Sequence, residues 1–396
     1  ETQAQAILEM RLHRLTGLEK DKILLEYKEL IELIRELMDI LSDYKKLMGV
    51  IREESLEVAE QFKDDRRTEI VDSKIDIDDL DLIPDEPVVV TISNHGYTKI
   101  QALDSYKAQR RGGVGKSSAI VKEEDYVKYL YIASRHDYLL CFSNKGRLYW
   151  LRVYQLPMVS RTSKGKPIVN YLPLTDGEVI TAVLPVRSFD QETTCVMATE
   201  MGTIKRVSLS DFSRPRQSGI IAINLDDKDA LIGCALTHGE DVMLFSKLGK
   251  VIRFSDGDVR VMGRGARGVR GIKLKENDAL VSMNVVDDTG EILTVASSGF
   301  GKKTKVTEFR RTGRGGQGII AMQLPEDVHL VAANGVAKDD DIFMITSGGT
   351  LVRIASDEIS TIGRNTKGVR LLRLKKGEDL VAAQVFSHDM EPVEEE

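Results

Sequence analysis

Between residues 18 and 62, apolar side chains return at every seventh position. One seam is Ile23, Leu30, Leu37, Tyr44, Ile51 and Val58; the other, four residues on, is Tyr27, Ile34, Leu41, Met48, Ser55 and Phe62. Only Ser55 breaks the apolar rows, and no proline falls inside them. A repeat of this kind predicts one strand of a coiled coil, about 70 Å long at about 1.5 Å per residue. Leu24, Ile31, Met38 and Ala59 widen the stripe. No second heptad helix follows, so its partner helix is expected from sequence outside this chain or from another copy. Residues 1–17 read as a short packed helix before the stalk, and the opening Glu1-Thr2-Gln3 as an internal cut point in a longer protein.

From residue 88 the pattern changes to short runs of Val, Ile, Leu, Thr and Phe broken by Gly, which predicts strands. The runs repeat. Gly96, Gly146, Gly202, Gly249, Gly299 and Gly349 each end one, at spacings of 50, 56, 47, 50 and 50. In most units a second short run with Arg or Lys follows, such as Val251-Ile252-Arg253-Phe254, which makes a hairpin. Arg111, Arg161, Arg214, Arg264, Arg314 and Arg364 recur in the same phase. Each has Gly four residues on (five after Arg214), then an apolar pair and a further run. Six such units of about four strands predict a closed ring of β-blades; an open solenoid would leave edges exposed. Helix is expected to be scarce beyond residue 88.

Composition then adds one correction to a naive reading. The 396 residues carry a formal net charge of −6, with 30% charged and 42% hydrophobic residues. That mixture excludes a disordered or collagen-like chain, but the net charge alone argues against a nucleic-acid binder. By segment, residues 1–87 sum to −11, residues 88–386 to +10 and residues 387–396 to −5. The texture divides the chain into a helical segment 1–70, an acidic linker 71–87, a β ring 88–386 and an acidic tail 387–396. No apolar run approaches the ~18 residues of a membrane span. Cys141, Cys195 and Cys234 lie far apart in apolar runs, as core residues of a protein in a reducing cytoplasm.

The positive charge of the ring is concentrated at the recurrent arginines. Arg110, Arg111 and Lys116 mark the first unit, Arg161, Lys164 and Lys166 the second, and Arg214 and Arg216 the third. Arg264, Arg267 and Arg270 follow, then Arg310, Arg311 and Arg314, then Arg364, Lys367 and Arg370. The segments 110–116, 161–166, 214–219, 264–270, 310–318 and 364–370 contain no acid. Recurrence in phase places these loops at one radius of the ring, as a basic belt suited to duplex DNA bent around the rim. The adjacent glycines are expected to let phosphates approach the backbone. The competing reading pairs each arginine with an acid of its own blade.

Other motifs carry no chemistry. Gly115-Lys116-Ser117 lacks the glycine a phosphate-binding loop needs at position 110, which is Arg. The two GxGxxG matches, starting at Gly263 and Gly313, fall at the repeat landmark and lead into strand-like sequence. The six histidines show no metal-ligand spacing, and no catalytic group stands out, so neither a catalytic residue nor a metal site is expected in this chain. Tyr149 and Trp150 read as packing residues.

Gln109-Arg110-Arg111-Gly112-Gly113-Val114-Gly115 resembles the Q-R-R-G-G-K-G box of the DNA gyrase A family. Gly363-Arg364-Asn365-Thr366-Lys367-Gly368-Val369, Arg66-Arg67-Thr68-Glu69-Ile70, and the stretch from Ala4 to Glu19 are also similar to that family. The resemblance spans essentially the whole chain. It implies a mainly β fold, a six-bladed, propeller-like β-pinwheel preceded by a long α-helical coiled-coil segment. It further implies DNA wrapping of positive handedness through the box (Gln109, Arg110, Arg111, Gly112, Gly113, Gly115, Lys116) and the rim. Partners would be double-stranded DNA, a second copy of the gyrase A chain and the gyrase B subunit, with no membrane. ATP and Mg2+ would enter only through the B subunit, leaving this chain without a cofactor and without the catalytic tyrosine. Two departures are visible: Val114 stands where the box has Lys, and the acidic tail is short. The alternatives are the A subunit of topoisomerase IV and a WD40-like interaction scaffold, for which no Gly-His…Trp-Asp signature is present.

Overall fold

The structure is a computed structural model and describes residues 2–8, 17–64, 68, 79–103, 127–160, 163–348 and 350–386. It falls into two compact units, residues 1–76 and 77–396.

The first unit is helical, with α1 (Thr2–Leu8), α2 (Gly17–Ser42) and α3 (Tyr44–Phe62). The uninterrupted helix expected over 18–62 is broken at Asp43, whose backbone is extended (φ −110, ψ 108). Local side chains favour the break. Asp43 accepts from the Lys45 amide at 2.9 Å, and Ser42 Oγ donates to the Asp39 carbonyl at 3.1 Å. The heptad rows stand exposed within this unit, from Ile23 at 44% to Leu41 at 74%. The helix expected to pack before the stalk is present as α1, but Ile7 and Leu8 are exposed.

The second unit consists of small antiparallel sheets. In chain order the strands of the first blade are β1 (Pro87–Ser93), β2 (Tyr97–Ala102) and β3 (Val127–Ser134). The second has β4 (Tyr138–Ser143) and β5 (Arg147–Arg152), then, after the short β6 (Lys166–Pro167), β7 (Ile180–Val186). The third has β8 (Thr194–Thr199), β9 (Thr203–Ser208), short β10 (Ile220–Ile221) and β11 (Leu231–Thr237). The fourth has β12 (Asp241–Ser246), β13 (Lys250–Ser255), short β14 (Val269–Arg270) and β15 (Leu280–Val286). The fifth has β16 (Glu291–Ala296), β17 (Phe300–Lys305), short β18 (Ile319–Ile320) and β19 (Leu330–Val336). The sixth has β20 (Asp341–Thr346), β21 (Leu351–Ala355), short β22 (Val369–Arg370) and β23 (Leu380–Phe386). Beyond residue 88 the only helical pieces among the described residues are 3₁₀ turns.

Each hairpin turn has a local cause. Gly249 adopts φ +76 and returns its amide to the Ser246 carbonyl at 2.9 Å, while Ser246 Oγ accepts from the Lys250 amide. Ser93, Ser143, Thr199 and Thr346 cap their turns in the same way.

The topology is not a simple stack of four-strand meanders. Every short strand pairs with the preceding blade: β6 with β2, β10 with β5, β14 with β9, β18 with β13 and β22 with β17. The chain therefore leaves its own hairpin, straps across the outer edge of the blade before it, and returns to form its own inner strand. Those inner strands (β3, β7, β11, β15, β19, β23) succeed one another side by side around the ring. Asn284 and Asn334 link them, donating to Ala333 O at 2.9 Å and Ala383 O at 3.2 Å. The sixth sheet contains three strands among the described residues, with β21 at its outer edge.

The core lies between blades. One cluster joins Val88, Ile100, Leu139 and Tyr149 of the first two blades, and another joins Phe245, Val251, Ile292 and Phe309 of the fourth and fifth. Strands β8 and β12 are buried on both faces because each stands between two neighbours. Full burial of each such large apolar side chain stabilises by about 1.5–3 kcal/mol. Cys141 and Cys195 are buried in this core and Cys234 partly so.

Candidate nucleic-acid interface

Among the described residues, four of the five straps are fixed at two points on the outer strand of the preceding blade, and the third blade's strap at one, through β10. Four begin at a parallel bridge, Ile100 to Met158, Arg206 to Val261, Arg253 to Arg311 and Lys303 to Thr361. Eight residues further on, the short strand pairs antiparallel to the same outer strand. The recurrent basic loop is the stretch between these two points. Both GxGxxG matches lie there and lead into β14 and β18, not into a helix.

The landmark glycines have a use within the ring itself. Gly268 adopts φ +101, and a Cβ there would lie 2.6 Å from the Ile204 carbonyl oxygen of the outer strand. A Cβ on Gly368, at φ +84, would likewise lie 2.6 Å from Gly301 O. Their close approach is to the neighbouring blade, and it lets the strap lie flat.

Of the residues expected in the belt, the box (Gln109, Arg110, Arg111, Gly112, Gly113, Gly115, Lys116) and Arg161 lie outside the described residues. Lys164, Lys166, Arg214, Arg216, Arg270, Arg310, Lys367 and Arg370 are exposed on the straps. Lys164 lies 5.0 Å from the Tyr97 ring centroid, while Lys367 and Arg370 lie 4.8 Å and 5.4 Å from that of Phe300. Arg314 is exposed, with its guanidinium on backbone carbonyls, at 2.9 Å from Asp258 O and 3.2 Å from Arg270 O. Arg264 and Arg364 are half-buried, and Arg364 donates to Ile320 O at 3.0 Å.

Among the described residues, two of the belt meet acids. Arg267 pairs with Asp226 at 2.8 Å, both exposed, and Arg311 pairs with buried Asp241. Neither acid comes from the arginine's own strap. Asp226 and Asp241 belong to the preceding blade's part of the chain, which a scan of the acid-free segments could not reveal.

The straps also join one another. Asn224 Nδ2 donates to Gly265 O at 2.7 Å, the Lys273 amide to Gly316 O at 2.8 Å, and the Gln323 amide to Thr366 O at 3.0 Å. The straps of the third to sixth blades are therefore joined in succession. Lys273 and Arg373, exposed and five residues after the landmark glycines Gly268 and Gly368, add positive charge that the sequence reading missed. Their constant offset from the glycine was the available signal.

Beneath two straps lie fully buried lysines, Lys205 and Lys302. Burial lowers the pKa of each to about 8. Tyr149 is buried, and Trp150 Nε1 donates to Phe212 O at 2.8 Å, so both serve packing. Among the described residues no cluster suited to a metal ion is found, and no helix is long and apolar enough to cross a membrane.

Comparison with known proteins follows the same six units. Residues 87–134, 137–187, 193–238, 240–287, 290–336 and 340–387 each match the family model for the DNA gyrase C-terminal domain, beta-propeller. The chain is 53% identical over 310 residues to the DNA gyrase A protein of Salmonella typhimurium, covering 78% of this chain and 35% of that protein. It is 49% identical over 336 residues to its Haemophilus influenzae counterpart, covering 78% and 38%. The chain thus spans little more than a third of the length of these relatives. A crystal structure of the C-terminal domain of DNA topoisomerase IV superposes with a TM-score of 0.67 at 26% identity, over 76% of this chain and 94% of that one. The structure of a DNA gyrase A C-terminal domain gives 0.61 at 28% identity, over 76% and 100%. With all six repeated units accounted for by one model, the chain belongs to the DNA gyrase C-terminal domain family.

Proposed function

We propose that this chain binds duplex DNA along its basic rim and wraps it, as the DNA-wrapping portion of a gyrase A protein. The observation that carries the reading is the set of five described straps, pinned on the preceding blades and joined in succession from the third to the sixth, with basic side chains exposed on them. Phosphate contacts of this kind release counterions, and that release offsets the elastic cost of bending, about 1–6 kcal/mol per 20–30 bp. No base readout is required.

Within that reading, Gln109, Arg110, Arg111, Gly112, Gly113, Gly115 and Lys116 form the leading DNA contact, and the rim residues of the other straps follow. Segment 1–70 belongs to the coiled-coil and dimerisation region, 71–87 is a linker and 387–396 a tail. The whole protein is a type IIA topoisomerase, assembled from two A and two B subunits in the cytoplasm. The wrapped segment is presented as a positive crossover, and ATP and Mg2+ act through the B subunit. This portion does not cleave DNA by itself. The topoisomerase IV reading is not favoured, because the relatives at 53% and 49% identity are gyrase A proteins.

The test is ligation of a nicked plasmid with the chain bound, followed by measurement of linking number. A positive shift is expected, strongly reduced by Arg110→Ala/Arg111→Ala. No shift in the parent would refute wrapping, and an undiminished shift in the double variant would refute the role of the box.

A further inference from the structure

At the third residue after the turn glycine, directly under a strap, stands Lys99 in the first blade, Lys205 in the third and Lys302 in the fifth. The same place holds Tyr149 in the second blade and Ile252 in the fourth. Lys205 and Lys302 are 0% exposed. Lys205 Nζ donates to Ala222 O at 2.7 Å and to the carbonyl of Arg264. Lys302 Nζ donates to Gly363 O at 2.9 Å, to the carbonyl of Arg364 and to Thr366 Oγ1 at 3.1 Å. Lys99 Nζ reaches Ser163 O, beside Lys164, at 2.9 Å. Lys205 and Lys302 thus grip the basic loop donated by the next blade at the backbone of Arg264 and Arg364, and Lys99 grips it at Ser163, one residue before Lys164.

A buried ammonium needs compensation. Around Lys205 and Lys302 the acceptors are backbone carbonyls and one hydroxyl, so oriented dipoles supply it. The charged groups facing Lys205 are Asp211 and Arg264, with the Cys195 thiol also nearby; those facing Lys302 are Arg364 and Glu308. In each case the arginine of the gripped loop lowers the lysine's proton affinity and the acid raises it.

We propose that Lys205 and Lys302 are positioning residues for the DNA-binding rim, fixing the loops that carry Arg264, Arg267, Arg364 and Lys367. The proposal rests on the DNA-wrapping reading and deepens it. The grip depends on pH in a defined direction. An ammonium offers three N–H donors and a positive charge, an amine two donors and no charge. The loops therefore loosen as pH rises through about 8, where both lysines lose their protons.

The experiment combines amide hydrogen exchange of residues 263–268 and 363–368, without DNA, with the plasmid linking-number shift at pH 7 and pH 9. The complete chain is compared with Lys205→Met, Lys302→Met, Thr366→Val and Arg264→Ala/Arg364→Ala. Each Met variant is expected to exchange about tenfold faster in its own loop at pH 7 and to give a smaller linking shift. Thr366→Val, which leaves the strand untouched, is expected to loosen residues 363–368 alone and to a lesser degree. The parent's linking shift is expected to fall from pH 7 to pH 9 toward the level of the Met variants, each of which keeps one titrating lysine and so falls less than the parent. Met variants that exchange and wrap like the parent would overturn the proposal, as would a pH response parallel in parent and variants. Should Arg264→Ala/Arg364→Ala wrap as the parent does while the Met variants still loosen their loops, the DNA reading of these loops fails and the lysines are structural only.

Discussion

Arg206 in the third blade meets Asp256 in the fourth at 3.1 Å, with both side chains largely buried. Thr237 Oγ1 donates to the same carboxylate at 2.9 Å. One blade later the same strand position is used again: Arg253 donates to Val306 O at 3.0 Å and Phe309 O at 3.3 Å in the fifth blade. These links sit beneath the points where the straps cross, so they tie blade packing to rim geometry.

Removing one partner of a buried pair leaves the other charge unpaired. Asp256→Ala is expected to destabilise the ring by about 3–5 kcal/mol, read from denaturant unfolding. A change within ordinary surface-mutation scatter would show that the pair is solvated in solution.

The two kinds of strap glycine separate cleanly. A Cβ on Gly268 would press on Ile204 O at 2.6 Å, whereas one on Gly263 would meet nothing within 4 Å. Gly268→Ala is expected to lift the strap, costing about 1–3 kcal/mol and weakening DNA binding. Gly263→Ala is expected to change both little. Equal effects of the two substitutions would contradict the flat strap.

Neighbouring arginines divide their labour. Arg310 is exposed, while Arg311 pairs with buried Asp241, which Arg253 also holds at 2.8 Å. Arg310→Ala is expected to reduce the log–log salt slope of DNA binding by about one. Arg311→Ala is expected chiefly to lower stability, by about 1 kcal/mol. The reverse pattern in a salt titration and an unfolding curve would reassign the two side chains.

Acid should loosen the entry to the ring. Hydrogen bonds from Arg187 and then Ser134 hold the Asp85 carboxyl well below its ordinary value of 3.8. A depressed folded-state pKa gives stability that is present above about 4 and lost as pH falls through the folded value. Arg187→Ala is expected to flatten that part of the acid-unfolding profile. An unchanged profile below pH 4 would show that this exposed pair adds nothing, as many surface pairs do.

Much of the fold was legible because its causes are local. The turn at Gly249 needs a positive φ, and Ser246 caps it within four residues, so both recur in sequence whenever the turn recurs in space. The heptad rows of α2 and α3 were equally plain. The break at Asp43 was not, because a side chain competing for the backbone leaves the seven-residue spacing intact. The belt was legible as a set of basic loops in phase, yet the fate of each side chain was not. Arg267 and Arg311 found acids 41 and 70 residues away.

What the sequence determined by itself was the period, the hairpins, the basic landmark and hence the family. Only the tertiary structure decided that each strap lies on the preceding blade, that its glycines face a neighbouring carbonyl, and that Lys205 and Lys302 grip it from below. The physical reason is that a repeat states what each unit contains, whereas the partner of a short two-residue strand is chosen by the edge it meets. A closed set of similar edges leaves that choice to packing and to hydrogen bonds between units far apart in the chain.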